Sequence, residues 1–191
     1  MPAQPRTVLQ VTLPAWVDAM LDTWEGPLAS DGERMRLAVA LSALNVERGG
    51  GPFAALVFAG ERCVGLGVNR VVDSGFSIAH AEIVALMVAQ ARVRDRLCPA
   101  EHPRTLVTTT DPCCQCFGAL VWAGVERLVC GATTADAELI GFDEGPKPGN
   151  WVELLEQRGV DVRRQVLQEE AAAVLRHYAS GGGTIYNAPA L

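Results

Sequence analysis

Apolar positions along the chain alternate between two spacings, and each change marks a predicted element. After Ser30 the spacing is helical, with Met35, Leu37, Leu41 and Leu44 on the expected buried side. Ser30 and Glu33 have the spacing of a capping box, and Gly49-Gly50-Gly51-Pro52 ends this helix near Arg48. Ahead of it, Pro2, Pro5, Pro14 and Pro27 make residues 1–29 an irregular lead-in with one short helix around Trp16–Thr23. Two short apolar runs, Phe53–Phe58 and Cys63–Asn69, flank the turn Ala59-Gly60-Glu61-Arg62 and predict a hairpin. A loop then leads to Ala79, and helical spacing resumes to about Arg94, with His80 and Glu82 in the early turns. Thr105–Thr110 reads as a strand running directly into Pro112 and a helix through Ala123. Beyond it come a strand at Arg127–Gly131, a helix at Thr134–Ile140 and a Gly/Pro-rich loop from Gly141 to Asn150. A helix at Trp151–Arg158, a strand at Val160–Val166 and a helix at Leu167–Ala179 follow, the last with Ala171, Val174, Leu175 and Tyr178 inward. Ser180-Gly181-Gly182-Gly183 is a hinge before Thr184-Ile185-Tyr186-Asn187. No repeat or internal boundary is visible, so the 191 residues are expected to form one α/β domain, a central sheet with helices on both faces.

Composition narrows the function classes. Hydrophobic residues make up 49% and charged residues 20%, as in ordinary globular proteins. No apolar run approaches the roughly 20 residues that span a bilayer. The N-terminus, Met1-Pro2-Ala3-Gln4-Pro5-Arg6, has no signal-peptide pattern, so the expected location is cytoplasmic with no membrane partner. The net charge is −6 and Lys147 is the only lysine, which argues against nucleic acid as a partner. The arginines concentrate at Arg92, Arg94 and Arg96, interrupted by Asp95, and at Arg163-Arg164. Of six cysteines, three lie within four residues, which favours metal or redox chemistry over a disulfide framework.

Those three stand in Asp111-Pro112-Cys113-Cys114-Gln115-Cys116. Pro112 suits a helix start, and residues three apart on a helix share a face, so Cys113 and Cys116 can reach one metal ion. His80 adds a third ligand from the start of another helix, and three protein ligands are the arrangement of a catalytic zinc. Such a zinc keeps a fourth position for water and lowers that water's pKa toward about 7. Glu82, two residues after His80, can lie beside the metal without binding it, taking a proton from water and handing it to a substrate ring nitrogen and then to a departing amine. Two other readings stay open at this level: a Cys-x-x-Cys redox pair, and a closed structural zinc with Cys114 as fourth ligand. Cys63, Cys98 and Cys130 read as small core residues, and His102 and His177 as surface histidines.

His-x-Glu followed by Pro-Cys-x-x-Cys is an established pattern of zinc-dependent base deaminases. His80-Ala81-Glu82 and Pro112-Cys113-Cys114-Gln115-Cys116 therefore resemble the cytidine deaminase-like superfamily. With Gly51-Pro52-Phe53-Ala54-Ala55, Val68-Asn69-Arg70, Phe117-Gly118-Ala119 and Trp122-Ala123-Gly124, they look closest to its guanine deaminase and tRNA-adenosine deaminase branch. Gly141-Phe142-Asp143-Glu144-Gly145-Pro146 resembles the acidic loop of bacterial guanine deaminases. The resemblance runs from about Gly51 to the C-terminus. It implies a three-layer α/β/α sandwich with a central mixed five-stranded sheet, one Zn2+ per chain held by His80, Cys113 and Cys116, and a homodimer. Some members exchange C-terminal segments, which would give the tail at 180–191 a place on the partner subunit. It further implies that Glu82 and Glu144 are catalytic, with Glu144 contacting the exocyclic amine and ring N–H of a purine. Phe53 and Phe142 would stack on the base, Asn69 would bond its polar edge, and Ala81, Asp143 and Tyr186 complete the substrate-binding set. Asp111 departs from the glutamate frequent in relatives, and Cys114-Gln115 is an unusual filling of the Cys-x-x-Cys.

The expected activity is hydrolysis of guanine to xanthine and ammonia. Alternatives are deamination of an aminotriazine, cytosine or a nucleoside, then of adenosine in tRNA, and lastly a catalytically silent module. Each auxiliary residue also has a plain structural role open to it: Phe53 as core, Asn69 as a turn cap, Asp143-Glu144 as a solvated pair and Tyr186-Asn187 as packing.

Overall fold

A computed structural model describes residues 10–93 and 104–187. Arg94, Arg96, Cys98, His102 and the first six residues lie outside the described residues. Five strands form one mixed sheet: β1 (Ala54–Ala59), β2 (Arg62–Val68), β3 (Arg104–Thr110), β4 (Arg127–Ala132) and β5 (Asp161–Arg163). Their order is β2-β1-β3-β4-β5, with β1 antiparallel to β2 and β3, and β3, β4 and β5 parallel. Side chains alternate across the sheet and both faces are covered. Leu56, Phe58, Leu66, Val107 and Val129 pack on α1 (Ala15–Asp22) and α2 (Asp31–Glu47). Ala55, Val57, Leu106, Leu128 and Cys130 pack on the opposite layer, α4 (Ala81–Val93), α5 (Cys114–Trp122) and α7 (Trp151–Glu156). A third cluster joins α6 (Thr134–Leu139) and α8 (Gln168–Ser180) near Phe142. The architecture is the expected three-layer α/β/α sandwich.

Several local expectations shift. The predicted capping box is present, Ser30 Oγ accepting from Glu33 N–H while Glu33 accepts from Ser30 N–H. Leu44, however, is only partly buried, and Asn45 takes the inward position. In α8 Val174 is likewise partly buried and Ala172 lies inward instead. A four-residue helix, α3 (Val71–Ser74), occupies the segment expected as loop. The last strand is shorter than the expected Val160–Val166: it ends at Arg163, and the positive φ of Gln165 and Leu167 turns the following chain into α8. Pro112 precedes the helix rather than opening it: Cys113 is the N-cap of α5, in extended conformation.

Candidate active site

Two helix starts converge on one point. The His80 carbonyl accepts the first intrahelical bond of α4, from Val84 N–H at 3.0 Å, and the Cys113 carbonyl does the same for α5, from Phe117 N–H at 2.8 Å. Both ligand candidates thus stand at positive helix ends, where thiolates are favoured. α4 can lie this close to the sheet because β2 carries Gly65 and Gly67. A Cβ on Gly67 would stand 2.4 Å from the Ala81 carbonyl oxygen, and one on Gly65 2.4 Å from that of Ala85. Glycine spacing on β2 therefore sets the height of His80 and Glu82.

His80, Cys113 and Cys116 place one ligand atom each within 4.8 Å of one another. His80 Nδ1 lies 3.4 Å from Cys113 Sγ and 3.7 Å from Cys116 Sγ. Zinc bonds of about 2.3 Å to sulfur and 2.0–2.1 Å to nitrogen at tetrahedral angles put such atoms about 3.6 Å apart, so the group fits zinc. The Cys113 thiol is drawn down to about 4, first by the hydrogen bond from Cys116 and then by His80. That same bond pushes Cys116 well above the usual thiol range. Burial alone would lower His80, but its hydrogen bond to Cys113 and the charge of that thiolate raise it overall. Cys114 is absent from the ligand group: its Sγ packs beneath Gly145, and its N–H donates to the Glu144 carbonyl at 2.9 Å.

Glu82 is buried beside these atoms and accepts from Thr108 Oγ1 at 3.2 Å. Burial, and then the Cys113 charge, raise its pKa, so it favours holding a proton. A cleft of about 410 Å³ including its mouth opens here. Phe53, Asn69, His80, Glu82, Phe142, Asp143, Glu144 and Tyr186 all line it, as do Thr110, Asp111 and Cys113. Ala81 is the one expected substrate residue not lining it, and its side chain sits in the core. Glu144 is buried and pushed up to about 8, first by burial and then by the Cys113 charge. Gly145 takes φ +69°, and a Cβ there would stand 2.4 Å from Cys114 Sγ, so the acidic loop needs its glycine. Phe142 is wedged edge-on between Phe53, 5.0 Å away, and Tyr186, 4.9 Å away. Asn187 fastens the tail, accepting from Asp143 N–H at 2.8 Å and donating to the Gly141 carbonyl at 2.9 Å. Asn69 Oδ1 accepts from Val71 N–H, as a turn cap does, while the residue also lines the cleft.

Sequence reasoning missed Asn45, Thr108, Thr110 and Lys147. Asn45 Nδ2 donates to the Gly51 carbonyl at 2.7 Å and the Asn69 carbonyl at 3.2 Å, tying together the two loops that carry Phe53 and Asn69. Its signal was an amide on a mainly apolar helix side, shortly before three glycines. The threonines lay inside a strand whose alternation pointed Thr108 and Thr110 to one face. Asp111 is buried and salt-bridged to Arg164, with Thr134 N–H donating to it at 3.0 Å, so it braces the turn before Cys113.

Residues 29–132 match the family model described as the cytidine and deoxycytidylate deaminase zinc-binding region. The chain belongs to this family. A solved guanine deaminase from Nitrosomonas europaea is 39% identical, with a TM-score of 0.86 over 93% of this chain and all of that one. A protein solved in complex with 8-azaguanine is 40% identical, with a TM-score of 0.85 over 91% of this chain and 98% of that one. A guanine deaminase of Bacillus subtilis is 30% identical over 58% of this chain and 69% of its own. A tRNA-specific adenosine deaminase of Buchnera aphidicola is 29% identical over 78% of this chain and 93% of its own. The chain is accordingly a zinc-dependent deaminase, an aminohydrolase.

Proposed function

We propose that this deaminase converts guanine and water to xanthine and ammonia. The observation that carries the reading is the buried Glu144 carboxyl, lining the cleft along with His80, Cys113 and Glu82. Guanine presents an exocyclic amine beside a ring N–H, a donor pair that the Glu144 carboxyl can accept together once ionised, the form that the neighbouring Lys147 charge favours against burial. The similar guanine deaminase of Nitrosomonas europaea, and 8-azaguanine bound to a similar protein, support the same substrate class. His80, Cys113 and Cys116 would hold the zinc, which supplies a Lewis acid that makes water a nucleophile near neutral pH. Glu82, poised by burial to carry a proton, would take it from the attacking water, deliver it to the ring nitrogen and then to the leaving amine. Phe53 and Phe142 would flank the base, Asn69, Asp143 and Tyr186 would border it, and Ala81 would contribute through its backbone.

The tRNA-specific relative keeps a second reading in view, but the acidic net charge of −6 disfavours a phosphate backbone as partner. No helix among the described residues is long and apolar enough to cross a membrane, in keeping with cytoplasmic purine breakdown. The family resemblance implies a homodimer, in which Trp122, 92% exposed on α5, is free to be a contact. In that dimer the tail would make its contacts with Phe142 and Asp143 either within one chain or on the partner. Replacing Glu144 with Ala tests the substrate reading: kcat/KM for guanine should fall at least a hundredfold, far more than for cytosine. Equal losses on both would remove Glu144 from recognition.

A further inference from the structure

The chain's single lysine is buried behind the cleft. Lys147 has a side chain only 6% exposed, with its ammonium 5.0 Å from the Trp151 ring. An ammonium has three N–H donors. One goes to the Pro112 carbonyl at 2.6 Å and another to Thr134 Oγ1 at 2.8 Å. Pro112 belongs to the turn that presents Cys113, and Thr134, at the start of α6, is hydrogen-bonded to that turn. Pro112 immediately precedes that cysteine, and Thr134 bonds Asp111 through its N–H at 3.0 Å and its hydroxyl at 3.4 Å. The third donor is left for Glu144. Its Oε2 lies 3.9 Å away, buried and without a hydrogen-bond partner among the described residues. That distance exceeds a direct hydrogen bond, so the link is coulombic or runs through one water.

We propose that Lys147 is a positioning residue that fixes the Glu144 carboxylate relative to the Cys113 turn. The two halves of the site come from distant stretches of chain, the metal-ligand turn after β3 and the acidic loop after α6. The Cys114 N–H to Glu144 carbonyl bond fixes the loop's backbone, and Lys147 is the group that reaches its side chain. A surface cation would be screened and mobile, whereas a buried one bonded to the turn and to Thr134, which itself bonds Asp111, has a fixed distance to Glu144. This rests on reading Glu144 as the substrate contact.

The test is steady-state kinetics on guanine with the zinc-loaded full chain. Lys147→Met should raise KM at least tenfold while kcat changes less than about threefold and zinc stays near one per chain. Lys147→Arg should bring KM back to within about threefold of wild type, since the groove that Lys147 lines leaves room for it. Thr134→Val, which removes one acceptor and keeps both charges, should raise KM about threefold and serves if Lys147→Met does not fold. Wild-type KM in Thr134→Val, loss of zinc in both variants, or a KM rise that arginine does not rescue would overturn the proposal. Absence of guanine turnover in the wild type would instead overturn the substrate reading, and this proposal with it.

Discussion

Besides Glu144 Oε2, which Lys147 approaches, two buried side-chain atoms without hydrogen-bond partners among the described residues belong to residues lining one cleft: Thr110 Oγ1 and Tyr186 Oη. Each such atom costs about 1–3 kcal/mol if nothing meets it, so their convergence points to a polar ligand that does. Tyr186→Phe should therefore leave the melting temperature unchanged or raise it slightly, while KM for guanine rises about tenfold. A lower melting temperature with unchanged KM would mean that the hydroxyl serves the fold rather than the ligand. Glu144 also gives a pH signature in chelator-treated protein. Its folded pKa, about 8, lies above the ordinary 4.5. A carboxyl raised in this way supports the folded state in full below about 4.5, and that support is lost as pH rises through about 8. The stability of wild type minus that of Glu144→Gln, followed by thermal melts, should fall across this interval. A flat difference would mean the carboxyl is not desolvated.

Among the elements, the legible features were those set by local chemistry. The capping box at Ser30, the hairpin turn at Gly60 and the strand feeding Cys113 follow from side chains a few residues apart, and all stand where the spacing put them. What could not be read depends on contacts between distant segments. Asn45 is inward because two loops far along the chain need its donors, and Lys147 is buried because Pro112 and Thr134 accept from it. The metal ligands were visible from residue type and spacing. The path that keeps Cys113 outside the helix as its cap was not, since proline is equally at home one position earlier. Gly65 and Gly67 show the same limit: their purpose is the α4 backbone lying against them. Gly67→Ala should destabilise the fold by about 1–3 kcal/mol through overpacking and reduce zinc binding, because Ala81 sits between His80 and Glu82. Denaturant melts and metal analysis check this, and unchanged values for both would mean that α4 is not held in place by that approach.

At the scale of the whole molecule, one sheet brings four separate stretches to one opening. The start of α4 brings His80 and Glu82, the start of α5 Cys113 and Cys116, the loop after α6 the Glu144 carboxyl proposed for recognition, and the tail Tyr186. The zinc half of the site rests on family membership, ligand geometry and helix ends together. The substrate half rests on Glu144 and its neighbours, and it is the claim most worth testing directly. The measurement is ammonia release by purified protein carrying a determined zinc content, offered guanine, guanosine, cytosine, adenine and an aminotriazine. The expected result is zinc near one per chain and ammonia from guanine well ahead of the others, with Glu82→Ala retaining zinc and releasing none. Zinc at one per chain with no turnover of guanine, or with cytosine or adenine preferred, would contradict it.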